Sequence, residues 1–191
     1  TMKGGHNLND PALVRTLTTH AKDAVAWLVS LGADLNTVGR AGGAKYPRAH
    51  RPTDGSAIGP EVIRVLWKAA KDRKMDVRTQ TRATEIIMKD GRVAGVKATN
   101  KDGKVYTIDA KAVVLATGGF GANQDMLVKY QPKLKGYATT NQPGATGDGI
   151  ILAEHAGAAL VDMKQIQAHP TAAPDGTLIS ESVRGDGGIL I

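Results

Sequence analysis

Proton-carrying and hydrogen-bonding side chains are concentrated in residues 165–184, which read QIQAHPTAAPDGTLISESVR. Imidazole, amide and hydroxyl groups of this kind can hold a polar substrate, although a lone histidine such as His169 is more often a structural hydrogen-bonding residue. Glu181 and Arg184 are three residues apart and would meet on a helix. Their spacing alone favours an ordinary surface ion pair, which contributes little. The residues alone predict part of a polar, proton-carrying site and leave its task open.

Two glycine-rich segments add a second kind of chemistry. Gly118 and Gly119 follow the apolar run Ala112–Ala116, and residues 144–149 read GATGDG ahead of a predicted helix. Glycines let a backbone approach a pyrophosphate closely, and a helix N-terminus attracts an anion. Plain turns are the alternative, since residues 144–149 lack the Gly-Lys-Ser/Thr ending of a P-loop.

Three helices are predicted to position these segments. The first begins at Asn9-Asp10-Pro11 and keeps its apolar spacing as far as Gly32, and the third covers Gly149–Ala156. Between them, residues 36–59 are rich in glycine, arginine and proline and predict a long ordered loop. The second helix opens at Pro60, and its predicted buried side comprises Val62, Ile63, Val65, Leu66, Trp67, Ala69 and Ala70.

A run of strands follows the second helix. Asp76–Thr79 predicts a short strand, and the hairpin turn Asp90-Gly91 joins Ala83–Lys89 to Arg92–Ala98. Lys104–Ile108 would complete a three-stranded meander. The continuous apolar run Ala112–Ala116 predicts a strand buried on both faces, with a ligand site beyond its carboxyl end. This order predicts an α/β fold.

Composition sets limits on function. The 191 residues carry 25 Lys and Arg against 18 Asp and Glu, a net charge of +7. The basic residues are spread along the chain without aromatic alternation, so a salt-sensitive nucleic-acid-binding module is a minor alternative and no nucleic-acid partner is expected. The chain has no cysteine, which excludes disulfides, thiolate metal sites and iron–sulfur clusters within it, and no metal site is predicted. No apolar run approaches the roughly 20 residues of a membrane span.

Several motifs, in the right order, resemble the fumarate reductase and succinate dehydrogenase flavoprotein family. They are KAVVLATGGFGAN at 111–123, NQPGATGDG at 141–149 and QIQAHPT at 165–171. AHRPT at 49–53 and TMKGG at 1–5 are most similar to the soluble periplasmic flavocytochrome c-type fumarate reductases. The resemblance covers essentially the whole chain, and the combination of motifs is far more specific than any one of them.

The resemblance implies a definite architecture. Residues 1–163 would form part of an FAD-binding Rossmann-like domain of the glutathione-reductase type with a β-meander, and residues 164–191 the start of an α+β capping domain. The family's Gly-x-Gly-x-x-Gly fingerprint would lie upstream of Thr1, and its proton-donating arginine beyond Ile191. FAD is the implied cofactor, with haem or covalent FMN in upstream domains. An electron-donor domain or cytochrome is the implied partner, and the periplasm the implied location.

The resemblance also assigns cofactor contacts to individual residues. Ala83, Gly118 and Asp148 match FAD-contacting positions, and the backbone of Ala83 would meet the adenine end. His50 and Arg51 are weaker candidates, because their loop could lie over the flavin or be a purely structural loop.

The implied reaction is the reduction of fumarate to succinate. Hydride would pass from N5 of reduced flavin to one alkene carbon, and a proton would reach the other. Gln167, His169 and Ser180 match substrate-binding positions. Glu181 and Arg184 match the relay that carries the proton to the donor arginine, and Glu181 also lines the substrate site.

Three positions near the substrate segment depart from the family pattern. Ala172 stands where a larger residue is usual, Leu178 where methionine is common and Ser180 where threonine is usual, and the stretch after His169 is one residue short. A sibling reductase of urocanate or an acrylate derivative therefore stays open behind fumarate, since such changes shift specificity by small free energies. The chain by itself could also be an inert fragment, because half a flavin site would bind FAD weakly.

Overall fold

The structure is a computed structural model that describes residues 1–42, 44–173, 175–179, 183 and 187–188. These residues form two compact units, one built on Thr1–Val77 and the other on Arg78–Ser180. Both units mix helices with antiparallel strands, which confirms the predicted fold with its β-meander. The predicted domain boundary after residue 163 remains a prediction.

In the first unit, helix α1 spans Pro11–Ser30 and confirms the predicted start. The Asp10 carboxylate accepts the backbone N–H groups of Ala12 at 2.7 Å and Leu13 at 3.3 Å, which satisfies donors that have no partner inside the helix. Pro11 occupies the first turn, where its missing N–H costs nothing.

Helix α2 spans Ile58–Asp72 and begins two residues before the predicted Pro60. The early start is possible because proline is tolerated in the first turn of a helix. Val65 is fully buried and packs with Ala33 and Leu35 in a small core. The predicted buried side was too wide, because Ile63 and Trp67 are 65% and 40% exposed.

The predicted loop at 36–59 contains a short antiparallel hairpin, with β1 at Thr37–Gly39 and β2 at Ala49–Arg51. The predicted strand at residues 76–79 is wrong, since the chain there forms no helix or strand. A strand exists only when a neighbour supplies its hydrogen bonds, and these residues pair with no strand in the described parts of the chain.

The second unit contains the predicted meander, with β3 at Thr81–Lys89, β4 at Arg92–Asn100 and β5 at Val105–Asp109. The order is β3-β4-β5, so β3 is an edge strand. Two further helices follow the meander. Helix α3 at Gln124–Tyr130 was not predicted, and α4 at Asp148–His155 confirms the predicted third helix with a one-residue shift.

The predicted buried strand at Ala112–Ala116 is wrong for this chain. Residues 112–116 form no strand, and Val114 and Leu115 are 88% and 41% exposed. The apolar pattern is that of a strand flanked on both sides, but no strand among the described residues lies beside it. Without hydrogen-bonding neighbours, the run is left as extended chain leading to Gly118.

Candidate functional site

The second unit has a cleft between β3 and α4, which we call the β3–α4 cleft. It encloses about 170 Å³ and brings together two predicted cofactor contacts, Ala83 and Asp148. The register of β3 against β4 shifts between Ala83 and Glu85, so the edge strand is irregular where it borders the cleft. Such irregularities are common beside binding sites, because they redirect the backbone. The lining comprises Arg82, Ala83, Thr84, Asp148, Ile151, Leu152 and His155.

The carboxylate of Asp148 is held from two sides. Arg82 Nε donates to Oδ2 at 2.7 Å, and Thr146 Oγ1 donates to Oδ1 at 2.9 Å. The bond from Arg82, followed by that from Thr146, lowers the pKa of Asp148 below its ordinary value. The cleft therefore presents an ionised carboxylate in a fixed orientation.

Two glycine loops lie against each other near the start of α4. The Gly147 N–H donates to the Gly119 carbonyl at 3.1 Å, and a Cβ at Gly149 would collide with the Thr117 side chain. Gly147 has a φ of +79° and precedes α4, whose N-terminus no described side chain caps. Close packing of this kind requires glycine, because any other residue would separate the loops.

Gly118 has a different environment. Its φ is +72°, and apart from its two chain neighbours no heavy atom of the described residues lies within 4 Å of the place a Cβ would take. The backbone at Gly118 is therefore open to a ligand that approaches closely. The cleft is smaller than the roughly 300–1,000 Å³ of a complete small-molecule site. Together with the open glycine and the uncapped helix N-terminus, it fits part of a dinucleotide.

A second cavity contains two predicted substrate contacts, Gln167 and His169, and we call it the His169 cavity. It encloses about 340 Å³. One wall is formed by residues 166–169 with Ala172 and Ala173, and a second wall by residues 137–141. Gly121, Leu127 and Leu134 complete the lining. Sequence reasoning singled out Asn141, as the start of the motif at 141–149, but not residues 137–140. The polar Thr-Thr-Asn run just before the GATGDG segment was the available signal.

Hydroxyl groups hold both walls of the His169 cavity. Thr139 Oγ1 donates to the Gly121 carbonyl at 2.6 Å and accepts the Asn141 backbone N–H at 3.1 Å. On the other wall, the Thr171 N–H donates to His169 Nδ1 at 3.2 Å. The Thr171 hydroxyl donates to the Ile179 carbonyl at 2.9 Å.

The remaining predicted site residues lie outside the described residues or in the first unit. Ser180, Glu181 and Arg184 lie outside the described residues. His50 and Arg51 lie on β2 of the first unit, where His50 Nδ1 donates to the Leu35 carbonyl at 2.9 Å. Both belong to a folded hairpin, and their contact with a flavin stays a prediction.

Two features are absent from the described parts of the chain. No group of three or more His, Asp or Glu side chains there could hold a metal ion. None of the helices in those parts is both long enough and apolar enough to cross a membrane.

Comparison with known proteins identifies relatives over the whole chain. A family model described as an FAD binding domain matches residues 1–191. The fumarate reductase (cytochrome) of Shewanella frigidimarina is 50% identical over 193 residues, covering 100% of this chain and 34% of that protein. The urocanate reductase of Eggerthella lenta is 38% identical over 174 residues, covering 88% of this chain and 28% of that protein. The chain thus spans about a third of the length of these relatives.

Among solved structures, the open conformation of a flavocytochrome c3 fumarate reductase matches with a TM-score of 0.88 and 44% sequence identity. The match covers 97% of this chain and 33% of that chain. Agreement at this level confirms the predicted fold class, including the relation of the chain to the FAD-binding part of fumarate reductase flavoproteins.

Proposed function

Because the chain belongs to the FAD binding domain family of the fumarate reductase flavoproteins, we propose that it forms part of the FAD site and one wall of the substrate site of a fumarate reductase. The observation that carries the proposal is the pairing of predicted contacts in the second unit. Ala83 and Asp148 line the β3–α4 cleft, and Gln167 and His169 line the His169 cavity.

When bound, reduced FAD supplies a hydride equivalent to one carbon of the C=C bond of fumarate, and a proton on the other carbon completes succinate. The protein's task is to hold the dicarboxylate, stabilise its charge and deliver the proton. The net charge of +7 suits a doubly anionic substrate.

The cofactor-facing residues have separate tasks in this proposal. The Ala83 backbone would meet the adenine end of FAD, and Gly118 would let the chain approach without a side chain in the way. Asp148, held ionised by Arg82, would accept hydrogen bonds from a hydroxyl group and would repel a phosphate. Asp148 therefore suits a sugar more than the pyrophosphate.

The substrate-facing residues supply hydrogen-bond donors. His169 and the amide group of Gln167 would hold a carboxylate of fumarate, and the Ser180 hydroxyl would add a third donor. Glu181 and Arg184 would relay a proton toward the donor arginine that the resemblance places beyond residue 191. The match to the family motif supports this relay, whereas the spacing alone favours an ordinary ion pair.

A sharp test uses His169→Gln in the full-length protein, with reduced viologen as the electron source. Loss of a hydrogen bond to a charged substrate is expected to lower kcat/KM for fumarate by about 10- to 100-fold. His20→Gln is the matched control, because His20 is exposed on α1. An unchanged kcat/KM for the His169 variant would contradict its assignment.

Urocanate and acrylate derivatives remain the second class of substrate. Ala172 and Ala173 line the His169 cavity, and Ala172 forms an isolated bridge with Leu178. Two of the three departures from the family pattern thus meet beside the cavity.

Parallel assays are expected to rank fumarate above urocanate and acrylate. The reverse ranking would move the protein to the sibling class, and inactivity toward all three would contradict a reductase of unsaturated carboxylates.

Activity is expected of the complete protein and not of this chain alone. Residues 1–191 span about a third of the related proteins, and the exposed run at 112–116 lacks strand neighbours among the described residues. We infer that the part of the full-length protein outside these 191 residues supplies those strand neighbours and the rest of the FAD site. Purified 191-residue chain mixed with FAD is therefore expected to leave flavin fluorescence unquenched, whereas the full-length protein should quench it.

Location and electron supply belong to the same proposal. A periplasmic location and an upstream haem or covalent FMN domain are expected from the resemblance to flavocytochrome c-type enzymes. Cell fractionation tests the location, and the visible spectrum of the purified full-length protein tests the haem.

A further inference from the structure

Thr171 is buried, although its side chain is polar and it lies in an irregular segment. It is 8% exposed, and polar residues are buried mainly where they are fully hydrogen-bonded. Its hydroxyl donates to the Ile179 carbonyl at 2.9 Å, and the Ile179 N–H donates back to the Thr171 carbonyl at 2.9 Å. One residue thus closes the loop from 171 to 179.

The same residue contacts His169 through two atoms. The Thr171 backbone N–H donates to His169 Nδ1 at 3.2 Å, and Thr171 Oγ1 lies 3.2 Å from the same nitrogen. A hydroxyl can rotate to suit either form of the ring, but a backbone N–H cannot turn away. A proton on Nδ1 would face that fixed N–H, so the neutral ring carries its proton on Nε2.

We propose that Thr171 is a positioning residue that fixes the tautomer and orientation of His169, so that Nε2–H is the donor offered to a substrate carboxylate. The inference rests on the proposed function, in which His169 contacts the substrate. The Thr171 side chain does not touch the reacting atoms. Its hydroxyl bond to the Ile179 carbonyl holds the Thr171 backbone in place and so keeps the backbone N–H against Nδ1 of His169; without the hydroxyl, that N–H is free to shift away from the ring. The tautomer of a functional histidine is commonly set by the partner of its other ring nitrogen.

The kinetic test compares Thr171→Val with Thr171→Ser in the full-length protein. Valine keeps the shape and removes the hydroxyl, and we expect kcat/KM per bound flavin to fall about tenfold, the effect of losing one buried hydrogen bond. Serine keeps the hydroxyl and should restore most of the loss. Thr18→Val is the matched control, because its hydroxyl also donates to a backbone carbonyl, Val14 O at 2.9 Å, but on the exposed side of α1.

A double-mutant cycle separates positioning from general stability. If Thr171 acts through His169, Thr171→Val should change kcat/KM far less in a His169→Gln background than in the native one. Additive losses, or a native kcat/KM for Thr171→Val, would overturn the inference. Thr171→Ala provides a second hydroxyl-free variant if the valine variant does not fold.

A spectroscopic readout keeps the inference separate from the enzyme assignment. Nitrogen NMR of 15N-histidine-labelled full-length protein should show His169 as the Nε2–H tautomer, and a mixture of tautomers in Thr171→Val. His50 is an internal reference, since its Nδ1 donates to the Leu35 carbonyl and its ring therefore has the opposite tautomer. A His169 spectrum unchanged by Thr171→Val would overturn the positioning role even if fumarate is reduced. Inactivity toward every substrate, with the tautomer shift present, would overturn only the proposed function.

Discussion

The β3–α4 cleft and the His169 cavity lie in the same unit but are built in different ways. The cleft lies between strand β3 and helix α4, and an ion pair between Arg82 and Asp148 joins its two sides. Segments outside the regular elements supply most of the cavity wall, and the hydroxyls of Thr139 and Thr171 hold them in place. Regular elements suit a cofactor that stays bound, whereas loops can adjust to a substrate that comes and goes.

This difference has an energetic consequence. An exposed ion pair contributes little, so the cleft should depend mainly on the packing of its backbone. Removing a partly buried hydroxyl that donates to a carbonyl costs more free energy, because the carbonyl is then left without a partner. Backbone changes should therefore damage the cleft most, hydroxyl removal should damage the cavity, and loss of the ion pair should matter least.

Gly147→Ala is expected to have the largest effect, on the cleft side. Alanine would be strained at a φ of +79°, and its Cβ would lie 2.8 Å from Phe120 Cβ and even closer to Met126. Strain and overpacking together should cost about 2–4 kcal/mol and lower the temperature of flavin release by a few degrees. Heating the full-length protein while following flavin fluorescence measures this.

Gly59→Ala is the control for that experiment. Gly59 lies in α2 with open space around its Cβ position, so alanine should leave the release temperature unchanged or raise it slightly. Equal behaviour of the two variants would show that the close packing of the glycine loops does not support the cleft.

Thr139→Val is expected to have the second-largest effect, on the cavity side. The hydroxyl donates to the Gly121 carbonyl at 2.6 Å and accepts the Asn141 N–H at 3.1 Å, so valine leaves both groups without this partner. A cost of about 1–3 kcal/mol follows. We expect KM for fumarate to rise while the amount of bound FAD stays constant.

Thr16→Val is the control for Thr139. Its hydroxyl donates to the Ala12 carbonyl at 3.0 Å on the exposed surface of α1, and its loss should be within about 0.5 kcal/mol of neutral. Loss of FAD from the Thr139 variant with KM unchanged would reverse the assignment of the two regions.

The sequence predicted the elements whose partners are close along the chain. The meander was found because Asp90-Gly91 joins two strands that pair with each other, and α1 because Asp10 supplies its own cap. Ala112–Ala116 has the apolar pattern of a strand but depends on neighbours that the described residues do not supply. Helix α3 was missed because it has two turns, although Asn123 caps it by accepting the Met126 N–H at 3.0 Å.

The site was predictable to a similar extent. Gln167 and His169 are two residues apart, so their shared cavity follows from the motif itself. The meeting of Ala83 with Asp148 links distant parts of the chain, and only the family resemblance suggested it. Residues 137–140 carry no motif of their own, and their place in the cavity lining depends on the bond that Thr139 makes to Gly121.

Arg82→Met should have the smallest effect and so gives the finest test of the comparison. The Arg82 side chain is 73% exposed, so its bond to Asp148 should contribute little to stability, and least at high salt. Because Arg82 lowers the pKa of Asp148 below 3.8, the pair stabilises the folded protein above that pH. The difference in unfolding free energy between native protein and variant should therefore vanish as the pH falls through the lowered pKa.

Lys97→Met is the matched control for the ion pair, since it removes a longer contact of 3.6 Å with Glu85 on the same sheet. FAD affinity should separate the two variants. Arg82→Met leaves the Asp148 carboxylate held by Thr146 alone, whereas Lys97 is not among the residues that line the cleft. A modest loss of FAD affinity confined to Arg82→Met would mean that the ion pair orients a ligand group. Equal FAD affinity in both variants would mean that backbone packing alone builds the cleft.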